Sequence, residues 1–266
     1  MISTLYDGVR DQVDRAVELL SPAVQPVFGL PGDSLRGCAS GTALESTGSA
    51  VLLNAAGQHA LVSAAHAQHD GGYVALVKKG HPSGVSYVGG SEAEFIRFRP
   101  PIVHKSLDIG CVKLEAGQVA RLVPEPLFLT ESHILKVTPP NVRHYLVLGY
   151  PGSLQQTDFA SVYRTQPHGF PAVEATEAYR ELTHKGVTQS THLLLRIDPT
   201  ISEYWRERIV LTGISGGGLW LLGDVLRRVA PDNLPPLVGI ITDYFLEPTP
   251  ILAAVRINAV IELLTG

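Results

Sequence analysis

A serine set among glycines follows an apolar run late in the chain. Thr212 to Trp220 reads TGISGGGLW, preceded by Ile209, Val210 and Leu211. A serine hydroxyl is a poor nucleophile until a base takes its proton and hydrogen-bond donors receive the developing oxyanion. Glycine at Gly213 lets the backbone turn so that its N–H and that of Ser215 converge on one spot. Gly216 and Gly217 leave the serine oxygen unobstructed. A pliable turn after a strand carries the same letters, so this motif alone leaves both readings open. It also satisfies the Gly-x-Ser-x-Gly nucleophile elbow, whose histidine follows the serine in the chain. The last histidine here is His192, so the base must lie upstream.

Ten histidines are present, and His66 has the most informative setting, in ALVSAAHAQHD. It follows an apolar strand end and two alanines, and small residues there allow a tight turn that presents the ring at the strand's mouth. A lone histidine is more often structural. His66 and His69 together suggest a metal, but no third ligand cluster accompanies them, and no metal or cofactor is expected. The group that orients the imidazole is sought in HKSLDIGCVKLE, where Asp108 opens an alternating strand between Leu107 and Ile109. An acid inside an apolar strand is costly unless ionised and hydrogen-bonded; an exposed edge is the plain alternative. Asp70 is a weaker rival, close to His66 in sequence.

These groups need a scaffold, and the composition supplies one. Of 266 residues, 45% are hydrophobic and 17% charged, enough apolar material for one large or two small domains and too little charge for disorder. A net charge of −4 without any Lys/Arg block argues against nucleic acid or an anionic membrane as partner. The longest apolar runs are strand-length, so no transmembrane helix is expected. Asp7, Asp11, Asp14 and Glu18 interrupt the N-terminal segment, which therefore lacks a signal-peptide core. Leu5, Val9, Val13, Ala16, Val17 and Leu20 recur there at helical spacing, predicting an amphipathic helix that ends before Ser21-Pro22. Two cysteines, Cys38 and Cys111, make neither a disulfide framework nor a cysteine-based zinc site, and a cytoplasmic location is the simplest expectation.

The rest reads as short strands divided by turns: Gly41–Glu45, Ala50–Asn54, Ala60–Ser63, Tyr73–Val77, Glu94–Phe98, Leu107–Leu114, His144–Gly149, Ser161–Arg164, His192–Ile197, Ile209–Leu211, Leu219–Leu222 and Leu237–Thr242. That spacing is typical of an all-β sandwich or barrel. Thr138-Pro139-Pro140 is the best linker and splits the β region into similar halves. The polar segment 152–184 predicts surface loops. Thr249-Pro250 predicts a final helix, with Thr as N-cap and Ile251, Leu252, Val255, Ala259 and Leu263 on its buried side.

Three motifs, in order, resemble the trypsin/chymotrypsin-like serine peptidases. SAAHA (63–67) is similar to that family's T-A-A-H-C, DIGCVKL (108–114) to its D-I-A-L-L-K-L, and GISGG (213–217) to its G-D-S-G-G. SGTALES (40–46) resembles the glycine-led strand before the histidine hairpin, VLGYPG (147–152) a strand of the bacterial branch, and LVGIIT (237–242) the strand beside the substrate. The resemblance implies an all-β fold of two packed antiparallel six-stranded β-barrels. Its expected parts are a helix over 1–21, a first barrel over 22–137, a second over 138–248 and a helix over 249–266. It implies a catalytic triad of His66 as general base, Asp108 as its orienter and Ser215 as nucleophile. Gly213 and Ser215 would form the oxyanion hole, and Ile209, Thr242 and Tyr244 the substrate pocket. An apolar, narrowed pocket favours cleavage after Ala, Val or Leu. Ala67 stands where the family has a cysteine, so that disulfide is missing. Ile214 stands where secreted members have the aspartate that pairs with a newly cut N-terminus. The implied function is a serine endopeptidase acting on a protein or peptide, with a regulatory domain or partner protein as a further expectation. A binding or scaffold module on the same fold, and an esterase on the same triad, are the alternatives.

Overall fold

The structure, a computed structural model, describes residues 2–29, 45–68, 74–77, 86–88, 94–97, 102–120, 122, 126–139, 144–152, 156–158, 162–197, 211–222, 229–245 and 250–266. Helix α1 (Ile2–Leu20) stops where predicted and passes into a 3-10 turn, Ser21–Ala23, that contains Pro22. Val13, Ala16 and Leu20 are buried. A Cβ on Gly169 would lie 2.2 Å from a Val17 methyl, so the helix lies directly on the strand that carries this glycine.

Among the described residues eight strands precede residue 114: β1 (Val24–Gly29), β2 (Glu45–Ala55), β3 (Gln58–Ala64), β4 (Val74–Val77), β5 (Ser86–Val88), β6 (Glu94–Arg97), β7 (Ile102–His104) and β8 (Ile109–Lys113). All but β5 form one antiparallel sheet in the order β6-β4-β1-β2-β3-β8-β7. The β2–β3 hairpin turns on Ala56 and Gly57, both at positive φ, with Ala55 opposite Gln58. Two consecutive positive-φ residues give a turn whose twist matches that of the strands. A short helix, α2 (Ala116–Val119), follows, closed at its start by a capping box between Glu115 and Gln118.

The second half holds β9 (His144–Gly149), β10 (Gln156–Asp158), β11 (Val162–Thr165), β12 (His168–Glu174), helix α3 (Tyr179–Leu182), β13 (His192–Ile197), β14 (Gly218–Leu221), β15 (Leu237–Phe245), β16 (Ile251–Arg256) and helix α4 (Ile257–Thr265). Six of these strands close a barrel in the order β12-β13-β16-β15-β14-β9, while β10, β11 and β5 make a small separate sheet. Phe170, Leu193, Leu195, Ile214, Ile241 and Ala254 fill one core cluster. A larger cluster joins Val51, Leu53 and Val62 of the first sheet to Leu146, Leu148, Trp220 and Ile240 of the barrel, with Leu20 of α1 and Val260 of α4. The two halves therefore share a core.

Two expectations are corrected. The final helix does not begin at Thr249-Pro250: Ile251–Arg256 is a barrel strand, paired with both β13 and β15, and the helix starts only at Ile257. Two-sided pairing outweighs the local helix-start signal, because propensity is a weak prior against tertiary context. Nor is 152–184 all loop, since β12 is a barrel strand and Tyr179 and Leu182 are buried. Pro171 obscures that strand. Among the described residues β13 pairs with Ala172–Glu174, and the proline pairs with Leu146 of β9; a strand tolerates proline best where its ladder is incomplete. Pro26 in β1 sits likewise, opposite Ser49, where β4 pairs only with Val27 and Phe28. The expected strand at Ile209–Leu211 lies outside the described residues except for Leu211, which is buried and not in a strand. Gly41 and Cys38 also lie outside them.

Candidate active site

Strand β3 ends at Ala64, and the chain then turns tightly, with Gln68 N–H donating to Ala65 O at 3.0 Å. Asp108 occupies the matching place on the neighbouring strand, one residue before β8 rather than inside it. It closes a 3-10 turn over Lys105–Leu107 in the left-handed region, φ 53°. A non-glycine residue there is uncommon, and aspartate is among the side chains that tolerate it. Three hydrogen bonds tie Asp108 to the histidine turn. Ala65 N–H donates to its carbonyl at 2.7 Å, His66 N–H donates to Oδ1 at 3.0 Å, and His66 Nδ1 meets Oδ2 at 2.5 Å. With Nδ1–H engaged by the carboxylate, Nε2 is left as the acceptor. The His66 side chain is 51% exposed and that of Asp108 30%. The Asp108 hydrogen bond raises the His66 pKa above its ordinary 6.5 against the opposing effect of burial, and the charges of Asp108 and Asp243 add to the rise. His69 and Asp70, the other candidates in this stretch, lie outside the described residues.

The Ser215 turn is a fixed structure rather than a pliable one. Gly213 and Gly216 have φ of 88° and 86°. A Cβ on Gly216 would fall 1.8 Å from Ser49 O and 2.2 Å from Ser63 Oγ. Glycine is needed there because two buried serines of the first sheet press against it. Gly216 N–H donates to Ile241 O at 2.6 Å and Ile241 N–H to Gly217 O at 2.8 Å, pinning the turn to β15. Ile214 N–H and Gly217 N–H also have acceptors, Leu211 O and Ile214 O. Among the described residues, the N–H groups of Gly213 and Ser215 have none. These are the two donors an oxyanion would need. Ile214 is fully buried in the barrel core.

One glycine brings the two motifs together. A Cβ on Gly48 would lie 2.7 Å from Ala67 Cβ and 2.7 Å from Ser215 O. The glycine that meets the serine turn from the strand leading into the histidine hairpin is Gly48 of β2; of SGTALES, residues 40–44 lie outside the described residues. Ser49 and Ser63 were not among the residues singled out from the sequence, although a buried serine in an apolar strand is a legible signal. Both are fully buried.

The pocket residues divide. Ile209 lies outside the described residues. Thr242 is fully buried at a bulge in β15, its hydroxyl 3.4 Å from Ala253 O, so it gives no open wall. Tyr244 is half-buried and packs on the barrel core. Burial raises its phenol pKa. Cys111 is a free, buried thiol, its pKa pushed up to about 12 by desolvation.

No protein-family model and no curated protein sequence matches the chain. Solved structures do. The serine endoprotease of Yersinia pestis is similar over 94% of this chain, with a TM-score of 0.53 and 15% identity. The chain spans 64% of that protein's length. A protease of M. tuberculosis in its active form is similar over 95% of this chain and 84% of its own, with a TM-score of 0.52 and 14% identity. The MamO protease domain of Magnetospirillum magneticum is similar over 93% and 98%, with a TM-score of 0.50 and 12% identity. Similarity at these identities speaks for architecture, and the architecture of this chain is that of the chymotrypsin-like double-barrel serine proteases.

Proposed function

We propose that the chain is a serine peptidase that hydrolyses peptide bonds through an acyl-enzyme on Ser215. One observation carries the reading: the His66 ring is hydrogen-bonded through Nδ1 to Asp108 at 2.5 Å, and its neighbour Ala67 meets the Ser215 backbone at Gly48. In the proposed reaction His66 Nε2 takes the Ser215 proton as Oγ attacks the carbonyl carbon. Gly213 N–H and Ser215 N–H receive the oxyanion. His66 then gives the proton to the leaving amine, and water, activated by the same ring, releases the acyl group. Asp108 holds the tautomer and stabilises the imidazolium throughout.

The substrate is a protein or peptide, and the residue before the cut is a small or medium aliphatic one, in keeping with the half-buried Tyr244 on β15. An acid at 214 would need a charged partner in the barrel core, and Ile214 needs none. Activation by a newly cut N-terminus is therefore not part of the proposal. The deciding experiment is labelling with a fluorophosphonate probe, located by peptide mapping. Modification of the Ser215 peptide, lost in Ser215→Ala, is expected. Undiminished hydrolysis by Ser215→Ala would overturn the assignment. Turnover of esters alone would make the chain an esterase on the same triad.

A further inference from the structure

Ser49 belongs to the first sheet, yet its polar atoms are spent on the nucleophile turn of the barrel. Its N–H donates to Ser215 O at 2.7 Å. Its hydroxyl donates to Gly213 O at 2.8 Å and accepts from Tyr150 N–H at 2.8 Å. Its own carbonyl accepts from the Ser63 hydroxyl at 2.6 Å, and the whole residue is buried.

The consequence follows from peptide planarity. In a trans peptide the N–H points opposite to the C=O of the same unit, so holding the oxygen fixes the direction of the hydrogen. The unit ending in Gly213 N–H has its oxygen, Thr212 O, held by Gly152 N–H at 2.6 Å. The unit ending in Ser215 N–H has its oxygen, Ile214 O, held by Gly217 N–H at 2.8 Å. The unit between them is held by the Ser49 hydroxyl, and the unit after them by the Ser49 N–H. All four carbonyls from Thr212 to Ser215 are thus occupied, and Ser49 supplies two of the four donors. Its hydroxyl holds the oxygen of the peptide that links the two N–H groups without acceptors among the described residues, while the N–H of that same peptide donates to Leu211 O at 3.1 Å.

On the serine-peptidase reading, we propose that Ser49 is a positioning residue that locks the Gly213–Ile214 peptide and thereby sets the angle between the two oxyanion donors. It ties formation of the oxyanion hole to docking of the first sheet on the barrel. It touches neither substrate nor the reacting atoms. Without the hydroxyl the Gly213–Ile214 peptide is held on its N–H side alone and can tilt, which changes the angle between the donors on either side of it and costs transition-state stabilisation while leaving ground-state binding alone.

The experiment compares the full chain with Ser49→Ala and with Thr47→Val. Thr47 lies on the same strand and donates its hydroxyl to Val27 O at 3.2 Å, away from the serine turn. Expected in Ser49→Ala is a fall in kcat of about tenfold to a hundredfold with KM unchanged, below the loss for deleting an oxyanion donor outright. A peptidyl boronic acid should weaken by the same factor. Hydrogen exchange across 211–219 should accelerate at least tenfold in Ser49→Ala, and all these readouts should stay at wild-type values in Thr47→Val. If Ser49→Ala melts below the assay temperature, kinetics and exchange of all the proteins are read at a lower temperature at which it is folded. Wild-type kcat together with wild-type exchange in the folded variant overturns the clamp. Exchange does not depend on turnover. A chain that never hydrolyses peptides but shows the accelerated exchange keeps the clamp and loses the peptidase reading.

Discussion

The two halves of the candidate site are held by different physics. His66 and Asp108 meet at a partly exposed rim through one side-chain pair and one backbone N–H. The Ser215 turn sits in the seam between sheet and barrel and is fixed almost wholly by backbone carbonyls, buried serines and glycines that admit no Cβ. The first arrangement responds to protonation. The second has no titratable member and responds to volume. The histidine is thus adjustable by pH, whereas the Gly213 and Ser215 N–H groups are set by packing.

The sharpest break in that comparison is chemical. Ser215→Ala should remove labelling and hydrolysis, a loss on the order of a millionfold in comparable triads, while the melting temperature stays close to that of the parent. Asp108→Asn should lower kcat by roughly three orders of magnitude or more, because the amide favours the wrong histidine tautomer. Steady-state kinetics on folded variants checks both. On the packing side, Gly216→Ala places a Cβ 1.8 Å from Ser49 O and should destabilise the protein by about 3 kcal/mol or more. Urea unfolding measures it, and a near-neutral result would mean the seam can open.

Smaller effects separate the two halves by pH. Since Asp108 hydrogen bonding raises the His66 pKa, the acid limb of kcat/KM should have its midpoint above 6.5. Stability moves the other way: a raised folded-state pKa favours the protonated protein, so that contribution is full below 6.5 and is lost as pH rises through the folded value. Asp243→Asn should move the limb slightly down, because Asp243 is the last of the contributors to the shift. A pH–rate profile that Asp243→Asn leaves in place would assign the whole rise to Asp108. The smallest effect concerns Cys111. With its thiol pKa at about 12 and the side chain buried, it should resist iodoacetamide at neutral pH until the chain unfolds.

Much of this was legible in the letters. SAAHA, DIGCVKL and GISGG pointed to the turns of His66, Asp108 and Ser215, which the fold brings together, because residue type and small neighbours mark such turns in the letters. The strands with apolar runs were legible too, His144–Gly149 and His192–Ile197 to the residue. What failed was set by pairing across the fold. Pro26 and Pro171 disguised strands, because a residue without a ladder N–H reads as a break until its paired neighbours, β2 and β9, are in place. Ile251–Arg256 looked like a helix start until β13 and β15 were placed on either side of it. Ser49 stands out as a serine beside an apolar run, but its role is not in the letters, because its partners lie more than a hundred positions away.

Strand β16 has a consequence for synthesis. It closes the barrel, and β15, to which the Ser215 turn is pinned through Ile241, gains its second neighbour only when β16 arrives. Chains emerge N-terminus first, so the histidine and aspartate can be in place while the serine still lacks its platform. On the proposed reading, a growing polypeptide is then unable to cut its siblings or itself until residues beyond Ile251 have left the ribosome. Ribosome-stalled chains ending before β16 should fail to take the fluorophosphonate probe, and chains stalled on a flexible linker appended after Gly266, long enough to clear the exit tunnel, should accept it. On that reading the order of strands along the gene acts as a timer on the chemistry of the protein.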